Sequence, residues 1–195
     1  MADIISTLAG LTPGSRVDGL RDLRPQARAN AQLSFESLFE PADPGTFPLE
    51  ERLAVALFVA GLHDDAPAAE FYADLLGDVA SDDLVAAVRA AADATRVPGP
   101  TGTYREPLLA GESVPTTEAV LPEDAVAVLG ARLTAGLAHA HLLVLHPRDA
   151  RQSHQERLLV AGWSLNDIVT LSQAVAFLSF QLRAAAGLRV LAQEA

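Results

Sequence analysis

Four of the chain's five histidines fall in one stretch, His139, His141, His146 and His154, and imidazoles gathered this closely invite a metal reading. Helix geometry argues against it. At about 100° per residue, His139 and His141 point to nearly opposite sides of a helix. His139 and His146 share a face but stand two turns apart, about 10 Å, too far to hold one ion between them. No His-x-x-x-His or Glu-x-x-His pair occurs. The pattern predicts hydrogen-bonded histidines, no metal and no other cofactor.

The segment His146-Pro-Arg-Asp-Ala150 breaks one helix and starts another. Arg148 and Asp149 then fall in a first turn, where free backbone N–H groups suit an anion. The plainer reading is an ordinary helix start with Asp149 offsetting the dipole. Ser172, Gln173, Ser179 and Gln181 are set among apolar neighbours in 169–183, as pocket-lining groups or as polar contacts between helices or subunits. Tyr104 and Arg105 lie in a Pro/Gly-rich stretch where they could close over a ligand or simply anchor the surface. No Gly-x-Ser-x-Gly or Gly-x-Gly-x-x-Gly occurs.

Whole classes of mechanism are excluded by what is missing. There is no cysteine, so no disulfide, thiolate nucleophile or thiolate metal ligand. There is no lysine either, so no Schiff base and no P-loop amine from this chain. The net charge is −11, with arginines scattered among acids. Nucleic acid and anionic membrane surfaces are poor partners for such a chain. The N-terminus lacks the charged flank and long apolar run of a signal peptide, and the longest apolar run, 53–62, is about half a membrane span. A cytoplasmic protein is expected.

The elements that must position these residues are helical. Half of the 195 residues are hydrophobic and 5% are aromatic, and Ala, Leu and Val dominate. Residues 1–24 read as short helical pieces broken at Thr12-Pro13-Gly14. Pro25 opens a helix to about Glu40, with Leu33, Leu38 and Phe39 as core candidates. A central helix follows from Pro48 to about His63, apolar on every face. The next two cover 66–77 and, capped by Ser81, about 82–95. Residues 97–121 are a long loop. Helices are then expected over about 122–146, 148–161 and 165–191, the last with Ser164 and Asp167 as a capping box.

Two halves repeat weakly. His63 and His146, Leu75-Leu76 and Leu158-Leu159, and Ser81 and Ser164 are each 83 residues apart. This predicts one domain with an N-terminal helical extension, 1–47, a first half, 48–96, a joining loop, 97–121, and a second half, 122–195.

The stretch from His146 to Arg183 resembles the carboxymuconolactone decarboxylase (CMD) / alkylhydroperoxidase AhpD-like superfamily. Its peroxidases carry Cys-x-x-Cys-x-x-x-His on a short helix, then a Gly turn and a capped helix. The corresponding residues are Pro147-Arg-Asp-Ala150-Arg-Gln-Ser-His154, then Ala161-Gly-Trp-Ser164. Pro147 and Ala150 take the cysteine positions, and His154 keeps the motif histidine. The family's glutamate falls on Ala135. In the first half the cysteine positions fall on Asp64 and Pro67, with Phe71 at the histidine. Glu51–His63, Arg24-Pro-Gln-Ala-Arg28 and Phe180–Arg189 are similar to a bacterial subgroup with full-length CMD domains.

The resemblance implies an all-α, AhpD-like homo-oligomer of two similar halves, peroxidase-related by descent but without the thiol site. His154 is the candidate catalytic residue, and Arg148, Asp149, His146, Tyr104 and Arg105 are candidate ligand contacts. The expected function is binding of, or acid–base chemistry on, a small molecule such as a carboxylate. The alternative is a non-catalytic structural or partner-binding homo-oligomer of the same fold.

Overall fold

This computed structural model describes residues 3–194. Met1 and Ala2, which open the N-terminal segment, and Ala195, which ends the second half, lie outside the described residues. Nine α-helices are described: α1 (Ile4–Leu8), α2 (Arg16–Leu20), α3 (Pro25–Phe39), α4 (Leu49–Leu62), α5 (Ala66–Gly77), α6 (Asp82–Thr95), α7 (Glu123–Leu145), α8 (Gln152–Val160) and α9 (Leu165–Gln193). The described residues contain no strand, only an isolated bridge between Gly102 and Val114. The all-α class read from the sequence is the class observed.

α4 is central because it has no polar face to turn outward. Ten of its fourteen residues are buried, and it packs on α3, α5, α6, α7 and α9. One of the ten is Arg52. Its guanidinium donates to the carbonyls of Phe47 (2.7 Å), Leu38 (2.7 Å) and Pro44 (3.2 Å), and lies 4.6 Å from the Phe47 ring centroid. A buried cation is tolerable only when its donors are met in this way. Here it ties the α3–α4 connection to the core.

Several helix ends follow the sequence reading. Pro25 is at the first position of α3, and the Ser81 hydroxyl accepts from Leu84 N–H. At α9, Ser164 Oγ accepts from Asp167 N–H, and an Asp167 carboxylate oxygen accepts from Ser164 N–H, which completes the capping box. Asp167 also accepts from the Thr46 hydroxyl at 2.8 Å.

Three expectations are corrected. Leu33 is 57% exposed, because α3 buries Ala31, Phe35 and Phe39 at i, i+4 and i+8, on a stripe about 160° from it; Phe39 is in the core and Leu38 is half-buried against it. The helix read over 122–146 is broken at Gly130, whose φ of 70° and ψ of 168° are not helical. The helix read over 148–161 starts only at Gln152. Pro147–Asp149 form a separate 3-10 turn, so Arg148 and Asp149 do not sit in the first turn of α8.

The buried apolar side chains form one cluster that draws on all nine helices, from Ile4 to Ala185. α6 opens at Asp82 and α9 at Leu165, and α4 closes at Leu62 and α7 at Leu145; both pairs are 83 residues apart. α7 and α9 are long and apolar enough to cross a membrane by length and composition, although more than half of α7's most apolar window is buried inside the fold.

A knot joins the α3–α4 connection to α7 and α9. The indole N–H of Trp163 donates to Arg132 O (2.9 Å), and the Arg132 guanidinium lies 4.4 Å from the indole centroid. Arg132 also pairs with Glu51 (2.9 Å) and donates to Thr46 O (2.8 Å). A side chain at Gly136 would meet Trp163 at 2.6 Å, so glycine lets the ring lie against α7.

Candidate functional site

α7 sorts its histidines as the helical period requires. His141 faces inward, its Nε2 3.0 Å from Thr95 O at the end of α6. His139 faces α9, its Nε2 3.4 Å from Ser172 Oγ. His146 ends α7, where its Nε2 lies 3.3 Å from His141 Nδ1. His154 sits in the first turn of α8, and its Nδ1 accepts from the Arg151 backbone N–H at 3.0 Å. That bond satisfies one of the open donors at the helix start and fixes the ring's direction.

His139, His146 and His154 line a single cavity of about 120 Å³ together with Glu118 and Arg157. The rest of its wall is small and apolar, chiefly Ala135, Ala138 and Leu142. Arg157 grips Glu118 with both nitrogens, at 2.6 and 2.9 Å, and His154 Nε2 lies 3.6 Å from Glu118 Oε1. His139 and His154 also border an open groove between α8 and α9.

The hydrogen bonds assign the imidazole tautomers. A carbonyl only accepts, so His141 carries its proton on Nε2 and leaves Nδ1 bare. His146 must then donate from Nε2, which leaves its own Nδ1 bare. The Ser172 hydroxyl donates to Ile168 O (2.8 Å), so its oxygen accepts from His139 Nε2–H and His139 Nδ1 is bare. His154 is the reverse: Nδ1 accepts, and Nε2–H faces Glu118. The Nδ1 atoms of His139 and His146 are buried without a hydrogen-bond partner, an arrangement uncommon enough to need a reason.

The electrostatics agree with neutral rings at His139, His141 and His146. Burial pushes His139 down to about 4, with the neighbouring His154 adding to the shift. Burial also lowers His146, against the pull of Asp149. The Arg157 hydrogen bonds hold Glu118 down to about 2. Glu118 is therefore an anion paired to a cation, and His139 and His146 in the same cavity resist protonation.

The sequence candidates divide. His146 and His154 reach the cavity. Arg148 and Tyr104 bond to each other: the guanidinium lies 4.1 Å from the phenol ring centroid and donates to its hydroxyl at 3.2 Å. Asp149 accepts from Thr103 N–H (3.0 Å) and the Thr116 hydroxyl (2.7 Å), which pins the 97–121 loop to the end of α7. Arg105 is exposed on that loop. Of the α9 candidates Ser172, Gln173, Ser179 and Gln181, the two serines are half-buried and Gln173 is exposed. Gln181 is fully buried and donates to Tyr72 OH at 2.8 Å.

His139, Glu118 and Arg157 were not singled out as site residues. Arg157 had a signal, being three residues after His154 and so on the same face of α8. Glu118 had none, because the loop alone decides where it lands. Among the described residues no group of three His, Asp or Glu side chains could hold a metal ion. Compared with protein families, curated proteins and solved structures, the chain matches none.

Proposed function

We propose that this chain is a CMD/AhpD-like protein without the thiol site, whose histidine cavity binds a small, largely apolar molecule and moves a proton on it. One observation carries the reading: a single cavity is lined by three imidazoles, His154 with its Nε2–H toward Glu118, and His139 and His146 with Nδ1 atoms closed in without partners. A donor in place, and two acceptors that a turn of the rings on binding brings to the molecule, are the parts that general acid–base chemistry needs. The volume is near that of an apolar cavity of roughly 150 Å³ that accepts benzene, so the ligand is of that size or smaller.

The family assignment rests on the resemblance and on two supporting placements. Ala135 and His154, the positions that correspond to the family's glutamate and histidine, line the same cavity. The helix pairings α4·α6 with α7·α9, and α4·α9 with α6·α7, are preserved if the two halves are exchanged, which supports a duplicated unit. Thiol peroxide chemistry is excluded by the absence of cysteine. The purified protein should show no peroxide turnover with dithiol reductants above a heat-killed control.

Arg157 supplies the anchor for an anionic group, and Glu118 holds that place in the free protein. A ligand carboxylate binds by exchanging with Glu118 on the guanidinium fork and meeting His154 Nε2–H. The test is a thermal-shift screen of small carboxylates and their neutral amides, repeated on His154→Ala. Carboxylates should stabilise the native chain and lose that effect in the variant, which keeps its fold. Equal shifts with and without the imidazole would overturn the assignment.

A second reading, a homo-oligomer in which assembly is the function, is favoured by the outer face of α9. Leu165, Val169, Phe180, Val190 and Leu191 are 46–71% exposed and lie within about 100° of one another around the helix. Self-association in the cytoplasm is compatible with both readings. Light scattering that finds only a 20.5 kDa species at micromolar concentration would remove it.

A further inference from the structure

A second concavity, about 690 Å³, lies where the ends of α4, α6 and α7 meet α9, and it shares no lining residue with the histidine cavity. Its polar lining is His63, Asp64, Arg96 and Arg183; Pro98 and Val144 belong to its apolar wall. The chain carries −11 charges, yet two guanidinium groups line this cleft with one carboxylate, Asp64, while Asp93 pairs with Arg96 from outside the lining. Arg96 uses Nη1 on Asp64 (2.8 Å), on Gly61 O (3.4 Å) and, more distantly, on Asp93 (3.7 Å), which leaves its other nitrogens available. Arg183 is exposed and forms no ion pair among the described residues.

The backbone supplies an independent observation. Asp64 has φ of 54° and is the one non-glycine residue with positive φ among the described residues. It follows the last turn of α4, where glycine normally takes the left-handed conformation without steric cost. Aspartate there holds Arg96 at the rim of the cleft. Aspartate tolerates this conformation, and the hydrogen bonds of Asp64 N–H to Gly61 O (3.0 Å) and Asp65 N–H to Ala60 O (3.2 Å) fix the carboxylate's position. His63 is half-buried, 3.4 Å from Ser179 Oγ, and burial together with Arg183 lowers its pKa. A neutral ring and a hydroxyl add hydrogen-bonding capacity beside the two cations.

We propose that this cleft is a second binding site, for an organic anion whose carboxylate or phosphate head meets Arg96 and Arg183 and whose apolar body lies on the wall at Pro98 and Val144. Guanidinium forks fit both heads, and a volume of this size accepts a ligand larger than the histidine cavity can hold.

The test is a titration of the full chain with phenyl phosphate, benzoate and benzyl alcohol, followed by backbone amide NMR and calorimetry. The anions should bind saturably, with shifts at residues 61–64, 96–100 and 179–183, and whichever anion binds more tightly identifies the head group. Benzyl alcohol should bind at least about tenfold more weakly. Arg183→Gln should weaken the anions about tenfold without lowering stability, since the side chain has no partner to lose. Arg16→Gln, at an exposed arginine that lines neither concavity, should leave these affinities unchanged. No saturable shift in the cleft, equal binding of the alcohol, or unaltered affinity in Arg183→Gln would each overturn the proposal, whatever the fate of the histidine cavity.

Discussion

At the junction of α4 and α5, Phe71 lies edge-on to Tyr72 with ring centroids 5.2 Å apart, and Tyr72 lies 6.0 Å from Phe39. At the junction of α7 and α8, His154 stands 83 residues after Phe71, and the space beside it is a cavity. Fully buried Ala56 corresponds in the same register to His139. The first corner is filled by rings that need no polar partners except at the Tyr72 hydroxyl. The second keeps imidazoles whose Nδ1 atoms stay unpaired. Both nitrogens are closed in without partners, and the cavity that the His139, His146 and His154 side chains line beside them is what makes that corner the candidate site.

The largest expected effect separates the corners by stability. Tyr72→Ala removes a fully buried ring and the partner of Gln181, and should cost about 3–5 kcal/mol in urea denaturation. His154→Ala should cost about 1 kcal/mol or less. Equal costs would end the contrast between a packed corner and a functional one.

Next comes pH. The His139 pKa is lowered in the fold, to about 4, against about 6.5 in the unfolded chain. The unfolded state therefore binds more protons between those values. Stability is full above pH 6.5 and falls by up to about 3 kcal/mol as the pH drops toward 4. His139→Leu should flatten that slope, and the wild-type His139 ring should stay neutral by NMR down to about pH 4. A ring that titrates near its ordinary value would show that the second corner is as wet as bulk solvent.

Added volume should divide the corners more finely. A methyl group at Gly61 meets Ala92 Cβ at 2.6 Å, so Gly61→Ala should lose about 1–3 kcal/mol. Ala135→Leu grows into the histidine cavity, and should change stability by less than about 1 kcal/mol while abolishing the carboxylate shift. The smallest effect falls on the exposed pair: Glu118→Gln should move stability by less than about 1 kcal/mol yet strengthen carboxylate binding by freeing Arg157. Weaker binding in that variant would make Glu118 a ligand contact and not a placeholder.

The sequence was legible where a single local rule decides the outcome. Pro25, Ser81 and the Ser164–Asp167 box mark real helix starts, and the apolar run of α4 is buried on all sides. The opposed faces of His139 and His141 followed from helical period alone. Apolar type alone misled at Leu33, which the helical period places on a different face from Phe35 and Phe39. Gly130 breaks α7 through its backbone angles, and the helix-forming residues around it conceal the break. His154 reads as exposed from its polar neighbours, yet its side chain is only 15% exposed, because the loop bearing Glu118 folds against it. Long-range placement of that kind has no signature in local residue order.

The single tryptophan gives the protein a fluorophore at one address. Trp163 is 2% exposed, roofed by Arg132 and seated on Gly136, where α7, the start of α9 and the α3–α4 connection converge. Its emission should be blue-shifted and shielded from iodide quenching in the native state. The signal then reports the opening of that seam and little else. If fluorescence is lost at lower denaturant than helical circular dichroism, the second half comes away from the α3–α4 connection before its helices melt. Coincident curves would mean that the seam and the helices fail together.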